Sequence, residues 1–309
     1  MNIITITLNP AIDVHVRPEE LFAWGDSPIT VLERNSGGKG VNVSRALLAF
    51  GIGNLCCVTV GEDNAEEYLA PLEKIGMNLL VERVTGRVRT NAHANTPEGG
   101  SVVAGQGACV DNPTLLRIKK RILPVLGEGD FLCLCGGLPP ECDKALLIDI
   151  LLEFKSRGAR IILDSRSLSA DELRAVYPYM IKPNLDELRS LTASGNIGKE
   201  QAIALARELS GDIAENILLS LGEDGGAFVG GGEVYEISTP RISAVSTTGA
   251  GDSMIAGYLY AMTRKERLAD VLRVAAAFGA ASCLREGTSA PLPEDVERLE
   301  HFVSVVRKA

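Results

Sequence analysis

The segment best suited to chemistry is a glycine-rich run before an apolar stretch: residues 246–254 read Ser-Thr-Thr-Gly-Ala-Gly-Asp-Ser-Met. The run opens a predicted helix, and helix N-termini present free backbone amides and a partial positive charge that hold phosphates. Glycines let the backbone approach such an anion closely. Asp252 can then accept a proton from a hydroxyl while a phosphoryl group arrives beside Gly249, Ala250 and Gly251. The alternative is an aspartate that caps a helix after a glycine turn.

A second glycine-rich run also precedes a predicted helix, and residues 35–43 read Asn-Ser-Gly-Gly-Lys-Gly-Val-Asn-Val. It is not a Walker A loop, because the required spacing of glycines and lysine is absent. Gly37 and Gly38 allow close backbone contact with a polar ligand, and Asn42 faces the same way one turn into the helix. The alternative is a glycine-rich turn with a solvated Lys39.

A third candidate is the run Lys-Pro-Asn-Leu-Asp-Glu-Leu at residues 182–188. Asn184 and Glu187 are three residues apart and therefore share one helix face. The pair could orient water around Mg²⁺, a cation that keeps several waters when it is bound. The alternative is a capping box with Asn184 as the cap.

Polar residues also follow the first predicted strand, where residues 9–13 read Asn-Pro-Ala-Ile-Asp. Ligands of open α/β sheets bind at the carboxyl ends of strands, so Asp13 could accept hydrogen bonds from sugar hydroxyls; the alternative is an exposed turn residue. The histidines His15, His93 and His301 share no metal-binding spacing, and we interpret them as structural or surface residues.

Strands and helices alternate along the chain, which predicts a parallel sheet with right-handed crossovers. Strands are predicted over residues 2–8, 54–60, 130–135, 160–164 and 216–221, with a hairpin around residues 230–232. Helices are predicted over residues 39–50, 63–75, 113–126, 143–156, 184–192, 199–209, 251–263, 267–284 and 293–306, with Asp111 or Asn112 as the cap of the third.

Two stretches interrupt this alternation. Residues 11–17 and 29–35 predict short strands with no helix between them, and residues 88–95 and 101–108 predict another pair with a turn at 97–100. We interpret these as a small β-sheet inserted into the α/β core, which could act as a lid over a site or as an interface.

The composition is that of a globular chain, since 46% of the 309 residues are hydrophobic and 23% are charged. A net charge of −9 without a basic run argues against a nucleic-acid surface. The seven cysteines lie mostly in apolar runs and are expected to be free thiols in a reducing compartment. The N-terminus predicts a strand rather than a signal peptide, and no stretch is long enough to cross a bilayer, so we expect a cytoplasmic protein without membrane contact.

The four candidate segments occur together and in order, and in this combination the chain resembles the PfkB-type (ribokinase-like) carbohydrate kinases over nearly its whole length. Residues 7–13, 37–42 and 181–184 resemble the hexose-phosphate branch, which includes 1-phosphofructokinase, tagatose-6-phosphate kinase and a minor 6-phosphofructokinase. The resemblance implies a ribokinase-like three-layer α/β/α sandwich forming a single domain over residues 1–309. The small β-sheet lid would be inserted at about 11–35 and 88–108.

The resemblance also implies a role for each matching residue. Asp252 would be the catalytic base, and the amides of Gly249, Ala250 and Gly251 would hold the transferred phosphoryl group. The Mg²⁺ and ATP side would be formed by Lys182, Asn184, Glu187, Ser220, Gly222, Gly225, Ala280, Cys283 and Gly287, with Glu187 holding Mg²⁺ through water. The sugar side would be formed by Asp13, Gly37, Gly38, Lys39, Asn42, Arg89 and Gly137, with Arg89 on the existing phosphate of the substrate.

Two departures from the family pattern concern residues that would contact the existing phosphate of the substrate. Members of the branch carry Ser-Gly-Ser-Leu-Pro where residues 135–139 read Cys-Gly-Gly-Leu-Pro, so Gly137 cannot supply the hydroxyl of the second serine. Arg166 follows Asp164 where a small residue is commoner, and it could replace the lost contact.

The implied function is Mg²⁺- and ATP-dependent phosphorylation of a ketohexose phosphate, with fructose 1-phosphate to fructose 1,6-bisphosphate as the first expectation. Phosphorylation of tagatose 6-phosphate or fructose 6-phosphate is the alternative. A catalytically silent sugar-phosphate sensor is the alternative from another class, although a sensor has no need of the Asp252 base. By analogy with the family we expect a homodimer formed through the lid.

Overall fold

A computed structural model describes residues 1–18, 28–96, 99–264 and 266–308. Numbered in chain order, the strands of its large ten-stranded sheet are β1 (Ile3–Thr7), β4 (Leu55–Gly61), β5 (Leu79–Val84), β8 (Phe131–Cys135), β9 (Arg160–Asp164), β10 (Met180–Ile181), β11 (Asn216–Ser220), β12 (Gly226–Gly230), β13 (Glu233–Ser238) and β14 (Ser304–Lys308). A separate four-stranded sheet, called the small sheet below, contains β2 (Ala11–Pro18), β3 (Ile29–Gly37), β6 (Arg89–Thr96) and β7 (Gly99–Ala104).

The large sheet is parallel at one end and antiparallel at the other. Its strand order is β14-β13-β12-β11-β10-β9-β8-β1-β4-β5. All pairs from β5 to β11 are parallel, whereas β11 to β14 pair in antiparallel fashion. The predicted parallel sheet is therefore confirmed for seven strands, and the predicted hairpin around residues 230–232 adds an antiparallel edge.

Ten helices cover the sheets: α1 (Lys39–Ala49), α2 (Ala65–Lys74), α3 (Asn112–Ile122), α4 (Lys144–Ser156), α5 (Ala170–Val176), α6 (Leu185–Thr192), α7 (Lys199–Leu209), α8 (Ala250–Thr263), α9 (Leu268–Ser282) and α10 (Pro293–Glu300), counted over the described residues. Asp111 is the N-cap of α3 and accepts a hydrogen bond from the Thr114 amide. No helix among the described residues is long and apolar enough to span a bilayer.

Two separate cores lie on the two faces of the large sheet. Successive side chains of a strand point to opposite faces, and in β8 Leu132 and Leu134 face one core while Cys133 faces the other. Helices α3 to α7 cover the first face, and α1, α8, α9 and α10 cover the second. The chain thus forms three layers, and its parallel strands are buried on both sides.

The small sheet has two chemically different faces, and both are buried along β2. Ile12, Val14 and Val16 pack against α2 in a third apolar cluster. Asp13 and His15 alternate with them and are also buried, at 6% and 5% exposure. A sheet with one apolar and one buried polar face differs from the half-exposed ribbon that such alternation usually indicates.

Several elements differ from the predictions. The helix predicted over residues 293–306 ends at Glu300, because the Val-rich segment after it forms β14 and pairs with β13. The strand predicted over residues 101–108 ends at Ala104. Strand β5 and helix α5 were not predicted. In the predicted turn at 97–100, residues 97 and 98 lie outside the described residues, and the last two belong to β7.

Parallel strands deliver the candidate residues to one place. Leu8, Gly136 and Lys182 directly follow β1, β8 and β10, and all lie at the carboxyl edge of the large sheet. This edge of an open α/β sheet is where ligands bind.

Candidate active site

The glycine-rich run at residues 248–252 forms the start of α8, as predicted. Gly249 caps the helix with a left-handed backbone (φ 82°), a conformation that favours glycine. The helix is apolar on nearly all sides and packs tightly against α9, since a Cβ added at Gly257 would lie 2.7 Å from Cγ of Phe278. The position of the first turn is therefore set by core packing, and its Ala250 amide donates to the Thr247 carbonyl (3.3 Å).

Asp252 lies in that first turn and is 5% exposed. Its Oδ2 accepts a hydrogen bond of 2.8 Å from Nδ2 of Asn42 in α1, a residue 210 positions away in the chain. Burial, and then the neighbouring carboxylate of Asp164, raise the pKa of Asp252 to about 6, against opposing effects from Lys39 and Asn42. A carboxyl group with such a pKa is suited to accept and return a proton near neutral pH.

Two lysines and two further carboxylates surround Asp252. The Lys39 amine lies 2.9 Å from Oδ1 of Asp164 and 3.2 Å from Oε1 of Glu187. Lys182 is 4% exposed, and its amine lies 3.6 Å from the same Asp164 oxygen. Burial opposes the charge of Lys39, yet Asp164 and Glu187 together raise the pKa of its amine.

Lys182 also reaches the anion-binding end of α8. A Cβ added at Gly251 would lie 2.8 Å from its Nζ, so the amine lies directly against the first turn of the helix. Positive charge from this lysine adds to that of the helix N-terminus, which together can neutralise a phosphoryl group.

The alternative interpretation of Asn184 and Glu187, a capping box, is confirmed by the structure. The pair forms a capping box, in which Oδ1 of Asn184 accepts from the Glu187 amide (2.8 Å) and Oε2 of Glu187 accepts from the Asn184 amide (3.0 Å). The other oxygen of Glu187 faces Lys39. One carboxylate thus serves the helix and the charged cluster at the same time.

The residues present fit a magnesium ion that is held mostly by water and phosphates. Oδ2 of Asp164 is buried without a hydrogen-bond partner, so one carboxylate oxygen is available to the site. Among the described residues, no group of three or more His, Cys, Asp or Glu side chains could hold a metal ion by itself. Such a site suits Mg²⁺, which is usually bound by one or two carboxylates together with substrate phosphates.

The residues predicted to contact the nucleotide are placed in two groups. Ser220 pairs with Asn184 in an isolated parallel β-bridge, and the Ser220 amide donates to the Pro183 carbonyl (3.0 Å). Ser220 therefore lies beside the charged cluster. The Cys283 carbonyl accepts from the amides of Val245 (2.8 Å) and Ser246 (3.3 Å), so it anchors the segment that leads into the glycine run. The remaining members are Gly222 and Gly225, in the turn after β11, and Ala280, in α9.

Gly287, which is also among the residues predicted to contact the nucleotide, faces the small sheet. A Cβ added there would lie 2.8 Å from Nδ2 of Asn35, 2.8 Å from Oε2 of Glu33 and 3.1 Å from Nε2 of His15.

The predicted sugar-binding residues lie where the small sheet meets α1. Asp13 is adjacent to Gly37, where a Cβ would overlap its Oδ2. Gly38 has φ 128°, and a Cβ there would lie 2.8 Å from Cγ2 of Thr7. Glycine is therefore required at both positions for β3 to turn into α1 beside β1. The Lys39 amine pairs with Asp164 and Glu187, as described above.

At the far end of the site, Arg89 is half-buried and has no carboxylate within ion-pair distance among the described residues. Its guanidinium donates to the backbone carbonyls of Asn9 (3.2 Å) and Pro10 (3.4 Å). Burial lowers the pKa of Arg89, and the nearby Arg166 lowers it further, while Asp13 opposes both. A half-buried guanidinium group with a second one nearby is suited to an anion.

Gly137 lacks the serine hydroxyl of the family pattern, but the neighbouring Ser167 could supply a hydroxyl in its place. A Cβ added at Gly137 would lie 3.6 Å from Oγ of Ser167, and this oxygen accepts a hydrogen bond of 3.0 Å from the Leu138 amide. Its own proton is free for another acceptor.

Sequence reasoning missed three residues that shape this site. Asp164 was noted only as the end of a strand, yet it contacts both lysines, and its position at the carboxyl end of β9 was the available signal. Arg45 joins α1 to the loop after α9 by donating to the Thr288 carbonyl (3.1 Å), with no local signal. His93, interpreted as a structural or surface residue, contacts Asp13 at 3.0 Å.

Comparisons with known proteins point in one direction. Residues 11–295 match the family described as pfkB family carbohydrate kinase. The chain is 28% identical over 308 residues to a 1-phosphofructokinase of Rhodobacter capsulatus, a match that covers 99% of this chain and 98% of the relative. It is also 28% identical over 291 residues to a tagatose-6-phosphate kinase of Staphylococcus epidermidis, covering 93% of each.

Solved structures show the same architecture. Phosphofructokinase-2 of Escherichia coli, in complex with substrates and products, aligns with a TM-score of 0.89 at 23% identity, over 98% of this chain and 99% of that one. A possible 1-phosphofructokinase of Thermotoga maritima aligns over the full length of both chains with a TM-score of 0.85 at 20% identity. These likenesses establish a shared fold.

The raised pKa of Asp252 has a consequence for stability. Between its ordinary value of 3.8 and about 6, the folded protein holds the Asp252 proton more tightly than the unfolded chain, so the free energy of unfolding falls as pH rises through this window. Asp252→Asn has no carboxylate to ionise, so its free energy of unfolding does not fall in this way. We expect this variant to have a higher Tm than the parent at pH 8 but not at pH 4, as measured by calorimetry.

Asp164→Asn is the matched control. It removes the carboxylate partner of Lys39 and of the buried Lys182, and we expect it to lower Tm at pH 8. Equal Tm changes in the two variants at pH 8 would contradict the assignment of the unfavourable buried charge to Asp252.

Proposed function

We propose that this chain, which belongs to the pfkB family of carbohydrate kinases, transfers the γ-phosphoryl group of ATP to fructose 1-phosphate and forms fructose 1,6-bisphosphate. The chain has the ribokinase-like α/β fold. The observation that carries the proposal is the buried Asp252 at the N-terminus of α8, beside two lysines and within reach of the sugar-side residues.

The geometry supports an in-line transfer with Asp252 as the base. The substrate hydroxyl gives its proton to Asp252, and its oxygen bonds to the γ-phosphorus. The bond from that phosphorus to the bridging oxygen breaks, and ADP leaves. The amides of Gly249, Ala250 and Gly251, together with Lys182, would neutralise the transferred group.

The carboxylates on the other side of Lys39 are suited to the metal. Asp164 and Glu187 would hold Mg²⁺, in part through water, next to the ATP phosphates and Asn184. When bound, the ion neutralises phosphate charge. Ser220, Gly222, Gly225, Ala280, Cys283 and Gly287 complete our proposed nucleotide side.

The two guanidinium groups at the far end, Arg89 and Arg166, support a substrate that already carries a phosphate. Arg89 and Arg166 would bind it, and the Ser167 hydroxyl, beside Gly137, would replace the serine hydroxyl that position 137 lacks. Asp13, Gly37, Gly38 and Asn42 would contact the sugar between the two phosphates. Tagatose 6-phosphate is the second candidate substrate, supported by the staphylococcal relative.

We further propose that the chain forms one domain and that its small sheet, contributed by residues of about 11–35 and 88–108, acts as a lid. Contact of this sheet with Gly287, and the buried polar face that carries Asp13, support closure that excludes water and so prevents hydrolysis of ATP.

The lid would also form the interface of a homodimer. Its strands carry the exposed apolar residues Ile29, Val31, Leu32, Val102 and Val103. The phosphofructokinase-2 of Escherichia coli has a tetrameric inhibited form, so assembly is known in a protein of this fold.

A cytoplasmic location is supported by the cysteines. All seven are free thiols, and five of them are buried, as expected of a protein in a reducing compartment.

The reaction is tested by measuring ADP release with ATP, Mg²⁺ and each of four acceptors: fructose 1-phosphate, tagatose 6-phosphate, fructose 6-phosphate and unphosphorylated fructose. We expect the highest kcat/KM with fructose 1-phosphate. With this substrate kcat should rise about tenfold per pH unit below about pH 6 and level off above it, because Asp252 must be ionised.

Asp252→Asn should lower kcat by about 10²- to 10⁴-fold, whereas Asp149→Asn, on an exposed aspartate of α4, should leave it unchanged. Phosphorylation of no acceptor would refute the kinase assignment, and a wild-type kcat in Asp252→Asn would refute the role of the base.

The phosphate contacts predict a selective loss of sugar-phosphate affinity. Arg89→Ala should raise KM for fructose 1-phosphate about 10- to 100-fold, because a charged hydrogen bond is lost, while KM for ATP stays the same. Arg166→Ala and Ser167→Ala should raise KM for fructose 1-phosphate less than Arg89→Ala does. Arg87→Ala, an exposed arginine two positions away, is the control. An unchanged KM in Arg89→Ala would assign the phosphate to other residues.

The interface proposal predicts that one charge on the lid separates the subunits. Val103 is 73% exposed, and Val103→Glu should shift the protein from dimer to monomer in sedimentation velocity because it places a charge in an apolar contact. Val306→Glu, on the 53% exposed Val306 of β14, should leave the dimer intact. A monomeric parent protein would contradict the proposal.

A further inference from the structure

Six polar side chains line the inner face of the small sheet in two rows. Strand β2 pairs with β3 on one side and β6 on the other, and residues paired across strands project to the same face. The row nearer the glycine loop contains Asn35, Asp13 and Asn91, and the row behind it contains Glu33, His15 and His93.

One oxygen of Asp13 is fully occupied by the neighbouring strand. Its Oδ1 accepts a hydrogen bond of 2.8 Å from Nδ2 of Asn91 and one of 3.0 Å from Nε2 of His93. Both donors are at least 91% buried, so water does not compete freely for this oxygen. Since an ionised carboxylate only accepts hydrogen bonds, His93 must carry its proton on Nε2 here.

The other oxygen of Asp13 faces the glycine loop. A Cβ at Gly37 would overlap Oδ2, and Oδ2 is therefore directed at the loop that precedes α1. With Oδ1 held by two donors, the carboxylate cannot rotate without breaking both hydrogen bonds. Oδ2 is then the oxygen left for a ligand hydroxyl.

A second histidine restricts the ring of His93. The rings of His15 and His93 stack with their centroids 4.6 Å apart and their planes at 17°. Burial, and then the adjacent His93, lower the pKa of His15. The stack on His15 holds the His93 ring in the orientation that directs Nε2 at Asp13.

His15 and Glu33, together with Asn35 of the other row, lie against the backbone of Gly287. Gly287 has no side chain, and Nε2 of His15, Oε2 of Glu33 and Nδ2 of Asn35 all approach it. These three atoms are buried without hydrogen-bond partners. Since these atoms are held by packing rather than by hydrogen bonds, His15 has little room to move away from His93.

We propose that His93, supported by its stack on His15, is a positioning residue for substrate binding: it holds Asp13 so that Oδ2 meets a sugar hydroxyl. The proposal rests on the proposed function, in which Asp13 binds the sugar. His93 would not touch the substrate and would act only through the Asp13 carboxylate.

The first test separates the hydrogen bond from the packing. His93→Phe keeps an aromatic ring against His15 but removes the donor, and we expect KM for fructose 1-phosphate to rise about tenfold while KM for ATP and kcat change by less than twofold. His93→Gln, whose amide can donate in place of Nε2, should restore most of the lost affinity. His301→Gln, on an exposed histidine after α10, should change nothing.

A double-mutant cycle then tests the route of the effect. If His93 acts through Asp13, His93→Phe should lower kcat/KM for the sugar phosphate in the parent protein but not in an Asp13→Asn background. Asn91→Leu, which removes the second donor, should behave in the same way. If His93→Phe lowers Tm, all assays are run well below the transition, and the rescue by glutamine then separates positioning from folding.

Two results would overturn the proposal in an active enzyme: an unchanged sugar KM in His93→Phe, or an equal loss with and without the Asp13 carboxylate. A parent protein that phosphorylates no acceptor would instead refute the proposed function, and this proposal with it.

Discussion

The first turn of α1 makes the two contacts on which the candidate site depends. Lys39 lies between Asp164 and Glu187, which come from β9 and α6, and Asn42 holds Asp252 on α8. The two residues are three positions apart and so project from one side of the helix. One helical turn thereby connects the strand ends of the large sheet, the glycine run of α8 and strand β3 of the small sheet.

This arrangement concentrates charge where little water reaches it. Asp164 and Asp252 are 1% and 5% exposed, and each would be strongly destabilised without a partner. Lys39 and Lys182 provide that partner for Asp164. Asp252 accepts its hydrogen bond from the neutral amide of Asn42, and burial together with the neighbouring Asp164 carboxylate makes it hold its proton more tightly. Stability is reduced at the residue that our mechanism uses, as is common at active sites.

The two faces of the small sheet differ in polarity, and each has its own role. Along β2, apolar residues face α2 while Asp13 and His15 face the site, and both sets are buried. The apolar set attaches the sheet to the body of the protein. The polar set leaves several atoms unpartnered, which is unfavourable in a core but useful where a ligand supplies the missing hydrogen bonds.

The sequence by itself determined the features that depend on near neighbours in the chain. The alternation of strands and helices, the glycine that starts α8, the Asp111 cap of α3 and the Asn184–Glu187 box all follow from local spacing. The four motifs also indicated the family, because their order and separation are sequence properties. Local patterns were insufficient at the C-terminus, where the Val-rich segment became β14 only because β13 offered an edge to pair with.

Only the tertiary structure decided which side chains meet. The hydrogen bond from Asn42 to Asp252 spans 210 residues, and the one from His93 to Asp13 spans 80, so no local spacing predicts either. The same holds for the pairing of Lys39 with Asp164, and for the contact of Gly287 with the small sheet. Such contacts arise because parallel strands bring their carboxyl ends to one edge, and the packing of α1 against α8 then fixes which residues face each other.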